Sequence, residues 1–233
     1  AGVQALLKPA GVASFEFPYL KDMLDELEFD TIYHEHQCYY SLTALNRLFA
    51  SHGLQIFDVL RVPIHGGSLR IFACHAGARP IAGSVKELLA EENAWGAATM
   101  APYERFAGRV EQLRTALVEL LDSIKARGQR IAAYGAAAKG VTLASYCGIG
   151  KRQLDYVVDR STYKQGRLFP IDGLPIYPTE KLAQDAPDYA LLFTWNFVGE
   201  IIRQQDGYLR AGGRFIVPVP NPRLVGVAES ARA

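Results

Sequence analysis

The pattern of apolar and polar positions changes character partway along the chain. Up to about residue 127 it mixes helices with a hairpin. Gln4-Ala5-Leu6-Leu7-Lys8 reads as the end of a helix, stopped by Pro9 and Gly11. The strand-like run that follows is ended by Pro18. Over 20–29, Leu20, Met23, Leu24 and Leu27 keep helical spacing. Ser41 is a good N-cap for a helix that Gly53 ends, with Leu42, Leu45, Leu48 and Phe49 as its apolar face. Residues 54–62 and 68–75 read as two strands, and Pro63-Ile64-His65-Gly66-Gly67 joins them into an antiparallel hairpin. Helical patterns follow at 83–95 and 103–127. The second carries Phe106, Val110, Leu113, Leu117, Leu120, Leu121 and Ile124, is long enough to bridge two domains, and stops at Gly128.

From residue 130 strands and helices alternate. Strands are expected at 130–135, 154–160, 175–177, 188–195 and 212–220. Helices are expected at 137–147, from Pro178 to Gln184 with Thr179 as cap, and at 197–209. This rhythm predicts parallel pairing through βαβ crossovers. The pattern as a whole divides the chain into 1–80, a helical linker at 81–127, an α/β domain at 128–222 and a loose tail at 223–233.

Composition narrows the class. A chain of 233 residues buries roughly 70–75% of its unfolded surface, enough for one large or two small domains. A net charge of +1 without a run of Lys or Arg argues against nucleic acid as partner. The longest apolar runs, about eight residues, are too short to span a bilayer. Cys38, Cys74 and Cys147 lie far apart and fit no C-x-x-C pattern, which suggests a reducing, cytoplasmic compartment. No charged n-region with an apolar h-region opens the given sequence, so no signal peptide is expected. It starts without Met and in what reads as the tail of a helix, so a piece of a longer protein is expected.

The densest chemistry is Tyr33-His34-Glu35-His36, two imidazoles, a carboxylate and a phenol in four residues. If the stretch is extended, His34 and His36 share one face and Tyr33 and Glu35 the other. A metal site built on both His needs a third ligand, and none lies at familiar zinc spacing. Two readings stay open. One is a polar loop whose imidazoles cap backbone carbonyls. The other makes one His a general base, with Glu35 orienting it or binding a sugar hydroxyl; a neutral imidazole suits proton abstraction at neutral pH.

Further candidates lie downstream. His65-Gly66-Gly67-Ser68 is either a hairpin turn or a glycine loop whose N–H groups, with His65, hold a phosphate or sugar oxygen. Gly135-Ala136-Ala137-Ala138-Lys139-Gly140 follows a strand and opens a helix, and is either a Rossmann-type turn with no ligand or an anion-binding arrangement with Lys139 as counter-charge for a nucleotide-sugar pyrophosphate. Asp159 ends the next strand and roughly imitates the ribose-binding acid of dinucleotide folds, although GxxxxG is not GxGxxG. The loop Asp159–Gly166, with Tyr163 and Lys164, and Thr194-Trp195-Asn196 both sit at C-terminal strand ends, where open α/β sheets bind ligands.

Taken together, LLKPAGVASFEFP, FDTIYHEHQCYYS, PIHGGSLRIF, AAYGAAAKG and VVDRSTYKQG resemble the nucleotide-sugar C-methyltransferases, over nearly the whole chain to about residue 222. The first segment resembles the fifth strand of a class I S-adenosylmethionine-dependent methyltransferase, and 41–75 its last helix and last hairpin. The resemblance implies an α/β fold: part of a methyltransferase sheet, linker helices, then a Rossmann-like parallel domain. It implies three parts in the family, a zinc-binding N-terminal domain, a methyltransferase domain and a Rossmann-like domain, with the substrate between the last two. It also implies His36 as base, with Tyr33 and Glu35 lining the site. A 4-keto sugar would lose its C3 proton to His36, and the enolate would take the sulfonium methyl. The chain lacks the zinc cysteines, the first four methyltransferase strands and the glycine loop that holds S-adenosylmethionine, so no metal site is expected here and the residues that bind the cofactor are not identified. Half a sheet leaves an edge strand, which predicts a homodimer or aggregation unless that edge is covered. Two other classes remain: a nicotinamide-dependent oxidoreductase built on 128–222, resting on Gly135 and Asp159, and a non-catalytic nucleotide-sugar binding module.

Overall fold

A computed structural model describes residues 1–64 and 66–227 and divides them into two compact units. The first comprises Ala1–Leu27 and His36–Gly108; the second takes Glu28–Glu35 and the described chain from Arg109 onward. The helices of 81–127 form no unit of their own. Val85 and Leu88 are buried in the core of the first unit, and the long helix over 101–126 passes from one unit to the other at Gly108.

The first unit runs α1 (Gly2–Leu6), β1 (Ala13–Pro18), α2 (Leu20–Asp25), α3 (Leu42–Ala50), β2 (Leu54–Val62), β3 (Ser68–His75) and α4 (Gly83–Trp95), and ends in the first turns of α5 (Ala101–Ala126). Its three strands lie in the order β1-β3-β2, all antiparallel. The expected hairpin is present with the expected bounds. Alternation sets its register: Ile56, Leu69 and Ile71 point inward beneath Tyr19, Leu42 and Leu45. On the other face Glu16 stands opposite Arg70, and their charged ends meet at 2.6 Å. Ser41 caps α3 as expected, accepting a hydrogen bond from Ala44 N at 3.2 Å. Leu48, placed on the apolar face by spacing, stays 47% exposed, so the buried stripe is narrower than the pattern suggested. The helix expected over 20–29 stops at Asp25. Leu27 takes φ 60° with its side chain buried, a left-handed conformation that costs about 1–2 kcal/mol. The break turns the chain into a 3₁₀ turn, Phe29–Thr31.

The second unit continues with β4 (Ile131–Tyr134), α6 (Ala138–Cys147), β5 (Val157–Val158), β6 (Leu168–Phe169), β7 (Leu174–Tyr177), α7 (Lys181–Asp185), β8 (Tyr189–Leu192), α8 (Val198–Gln204), α9 (Asp206–Arg210), β9 (Arg214–Val217) and β10 (Arg223–Val225). The sheet order is β10-β9-β8-β4-β5-β7-β6. The five inner strands are parallel, and β6 and β10 close the edges antiparallel. Every residue of β4 and β8 is buried, as a sheet covered on both faces requires. Leu117, Leu121 and Ile124 of α5 are fully buried.

Four details differ from the sequence pattern. The strand expected over 154–160 is a strand only at Val157 and Val158, although the backbone N–H groups of Asp155 and Asp159 still donate to Ile131 O and Tyr177 O of the neighbouring strands. Thr179 does not cap α7; Glu180 holds the N-cap position and no side-chain bond is made there. The helix expected at 197–209 breaks at Gln205. The chain after Pro222 is no loose tail at its start, since Arg223–Val225 pairs with β9 and buries Val225. The rest of that tail, 228–233, lies outside the described residues. The strand order reverses at β4, with β5 and β8 on opposite sides, which defines the switch point where such sheets bind ligands.

Candidate functional site

Tyr33-His34-Glu35-His36 is a turn that follows the 3₁₀ helix, not an extended segment. The expected division, both imidazoles on one face, is therefore replaced by a spacing of three. Tyr33 and His36 are half-buried, while His34 and Glu35 are exposed. The turn begins in backbone bonds: Ile32 N donates to Phe29 O and Tyr33 N to Thr31 O, each at 3.0 Å. Burial raises the Tyr33 phenol above its ordinary value, and the carboxylates of Glu35 and Asp30 push it further the same way. Tyr33 therefore keeps its proton across the neutral range and is a donor. The His36 ring lies 6.3 Å from that of Tyr39, nearly perpendicular.

Asp30, two residues inside the 3₁₀ helix, is fully buried. Its Oδ2 accepts a hydrogen bond from Trp195 Nε1 at 2.7 Å, and its Oδ1 has no hydrogen-bond partner. The Lys139 ammonium lies 3.9 Å from the centre of the Trp195 ring. Burial raises the Asp30 carboxyl, and the Lys139 charge and the Trp195 bond only partly offset it. Burial lowers the Lys139 ammonium, opposed by Asp30 and Glu28. Lys139 was expected to face a pyrophosphate from the turn after β4. Its ammonium instead stacks on Trp195 in the field of Asp30.

At the switch point a cavity of about 320 Å³ opens beside the ends of β4, β5 and β8. Tyr134, Asp159, Arg160, Lys164, Thr194 and Glu200 are among the residues that line it. Asp159 is committed to the local backbone: Oδ2 accepts from Ala136 N at 2.7 Å and Lys164 Nζ at 3.3 Å, and Oδ1 from Ser161 N at 2.7 Å. An anion already occupies the N–H of the turn after β4, and it comes from the protein. The two glycines of that turn have packing reasons. A Cβ on Gly135, at φ 93°, would stand 2.6 Å from Thr194, and one on Gly140 2.6 Å from Phe193. Arg160 pairs with Glu200 at 3.0 Å.

Of the residues proposed from sequence for substrate binding, Lys164 lines this cavity. Tyr163 is 77% exposed on the same loop, with the Arg167 guanidinium 4.5 Å over its ring. Asn196 is exposed in the short turn after β8. His65 lies outside the described residues. Asp30 was not singled out, and Trp195 only as a member of Thr194-Trp195-Asn196, although a lone acid between Phe29 and the apolar pair Ile32-Tyr33 is a signal that it is buried for a reason. Among the described residues no group of three His, Cys, Asp or Glu side chains is placed to hold a metal ion, and no helix is long and apolar enough to cross a membrane.

A mixed α/β chain with a doubly wound second unit and an ionisable turn ahead of its hairpin fits a known group. Residues 63–220 match the model of the C-methyltransferase C-terminal domain, and the chain belongs to that family. C-methyltransferase NovU of Streptomyces niveus is 44% identical to it over 230 residues. That alignment covers 98% of the chain and 54% of NovU, so the chain spans about half the length of this relative. It extends over the Tyr33–His36 turn, which the family match, beginning at residue 63, does not include.

Proposed function

We propose that this protein takes part in the S-adenosylmethionine-dependent C-methylation of a nucleotide-linked keto sugar, with this chain supplying the base and binding much of the acceptor. The observation that carries the proposal is the Tyr33–His36 turn, with Tyr33 and His36 half-buried, in a chain of the C-methyltransferase family. The hydrogen on a carbon next to a ketone is acidic because its electron pair can delocalise onto the ketone oxygen. His36 takes that proton on a ring nitrogen, and the electron pair moves to the oxygen as an enolate. Tyr33, held protonated by burial and by the carboxylates of Glu35 and Asp30, is a donor suited to such an oxygen. The cavity at the switch point supports a nucleotide site, with Lys164 on its wall and Tyr163 and Asn196 exposed on loops at the same sheet edge.

S-adenosylmethionine supplies the methyl group in this proposal. The first unit has only antiparallel strands and, among the described residues, no strand–glycine loop–helix turn, so these residues do not fit that cofactor. The steps assigned to this chain are acceptor binding and proton removal. The commitment of Asp159 to Ala136, Ser161 and Lys164 weighs against a nicotinamide-dependent reaction, since both oxygens of that carboxylate already accept bonds from the local loop.

The test is methyl transfer by the full-length protein from S-adenosylmethionine to a thymidine-diphosphate 4-keto deoxysugar, followed by the mass of the nucleotide sugar. One added methyl group is expected. His36→Asn should lower kcat by about 10²–10⁴ while acceptor binding is kept. Near wild-type turnover would remove His36 from the reaction, and tight binding of the sugar without any methylated product would leave a binding module.

A further inference from the structure

Three observations converge on the 3₁₀ turn ahead of Tyr33. Asp30 is fully buried, and Trp195, whose Nε1 donates to its carboxylate, lies 165 residues away. The turn is continuous with Tyr33 through backbone bonds, and Thr31 Oγ1 adds a bond to Glu28 O at 2.8 Å. Phe29, beside Asp30, packs its ring 5.2 Å from that of Tyr146 on α6. Asp30 and Phe29 thus face outward from the turn into the second unit, one toward the loop after β8 and the other toward the helix after β4.

We propose that Asp30 is a positioning residue, which through its hydrogen bond to Trp195 fixes the turn carrying Tyr33 and Glu35 onto the second unit. The inference deepens the proposed function and rests on that reading for its catalytic consequence. A buried carboxylate with one oxygen lacking a hydrogen bond is unfavourable for stability, and an asparagine could make the Trp195 bond without charge. What the carboxylate adds is a stronger acceptor for the Trp195 N–H and a charge opposite Lys139. The hydrogen bond locates the turn that carries Tyr33. A displacement of about 1 Å in a reacting group is enough to lower turnover about 10²-fold, so a single anchoring bond far from the acceptor can matter.

The two contributions separate by substitution in the full-length protein. Trp195→Phe removes the donor and keeps the charge, Asp30→Ala removes both, and Asp30→Asn keeps an acceptor for Trp195. For Trp195→Phe and Asp30→Ala we expect kcat to fall about 10²-fold, with the acceptor KM little changed because the cavity at the switch point is untouched. Asp30→Asn should recover most of that loss. Amide hydrogen exchange over residues 29–35 should speed up in Trp195→Phe and Asp30→Ala and stay near wild type in Asp30→Asn. Wild-type kcat in Trp195→Phe, unchanged exchange over 29–35, or an Asp30→Asn as impaired as Asp30→Ala would each overturn the proposal. Should Asp30→Ala fail to fold, Trp195→Phe decides the matter. If the wild-type protein makes no methylated sugar, the functional reading fails on its own, and the exchange measurement still tests the anchor.

Discussion

Among the described residues, each unit has one carboxylate side chain buried completely, Glu92 in the first and Asp30 in the second, and the two are treated differently. Glu92, on α4 in the first unit, is fully buried and fully used. It accepts from Tyr19 Oη at 2.8 Å, from Leu42 N at 2.7 Å and from Thr43 N at 2.7 Å, which caps the first turn of α3 from a distant helix. The positive end of α3 and two N–H groups that the helix cannot satisfy internally meet a negative charge there. Asp30 in the second unit is equally buried, yet one oxygen is left without a hydrogen bond. A saturated buried carboxylate is a building element. An unsaturated one next to a candidate catalytic turn marks a place where stability gives way to another requirement.

That contrast can be broken from either side. The largest effect is expected for Glu92→Leu. It orphans the Tyr19 hydroxyl and the N–H groups of Leu42 and Thr43 in the core of the first unit, and should cost about 3–5 kcal/mol in denaturant melts. A loss under about 1 kcal/mol would show that α3 does not depend on this cap. Gly140→Ala should follow, at about 1–3 kcal/mol, because the new methyl group would press on Phe193 and force α6 from the end of β8. An unchanged melting temperature would mean that the glycine serves a ligand and not the packing.

The smallest and most diagnostic effect is the pH dependence of Asp30→Asn. The folded protein holds the Asp30 proton more tightly than the unfolded chain, where the carboxyl keeps its ordinary value of 3.8. Between that value and the higher native one, the folded state therefore binds more protons and stability falls as pH rises. Asparagine has no such loss. The melting temperature of Asp30→Asn relative to wild type should rise from acid pH to neutral pH. A relative fall over the same range would show a carboxylate stabilised by folding, and would join Asp30 to Glu92 as a building element.

The fold was legible where the signal is local. The hairpin over 54–75 came from alternation and a glycine-bearing joint, and the parallel sheet from strands spaced by helices. Ser41 was legible as a cap because its partner, Ala44 N, is three residues away. Strand ends were less legible. The strand at Val157 is two residues long although Asp155 and Asp159 on either side still bond the neighbouring strands, and β10 begins just where a proline suggested a tail. In the candidate site, the place of the Lys164 loop at a strand end is legible in the sequence, whereas nothing local indicates that the Lys139 ammonium meets the face of Trp195.

By itself, then, the sequence determined the order of elements, the hairpin, the parallel sheet and the ionisable run Tyr33–His36. Periods of 2 and 3.6 and the residues that cap and break them are properties of neighbours along the chain. Only the tertiary structure decided that this run is a turn with Tyr33 and His36 half-buried, that Asp159 accepts from Ala136 N in the turn after β4, and that Asp30 reaches Trp195. Each of these depends on groups brought together by the packing of remote elements. Burial, which sets the protonation of Asp30, Tyr33 and Lys139, does not exist until that packing is complete.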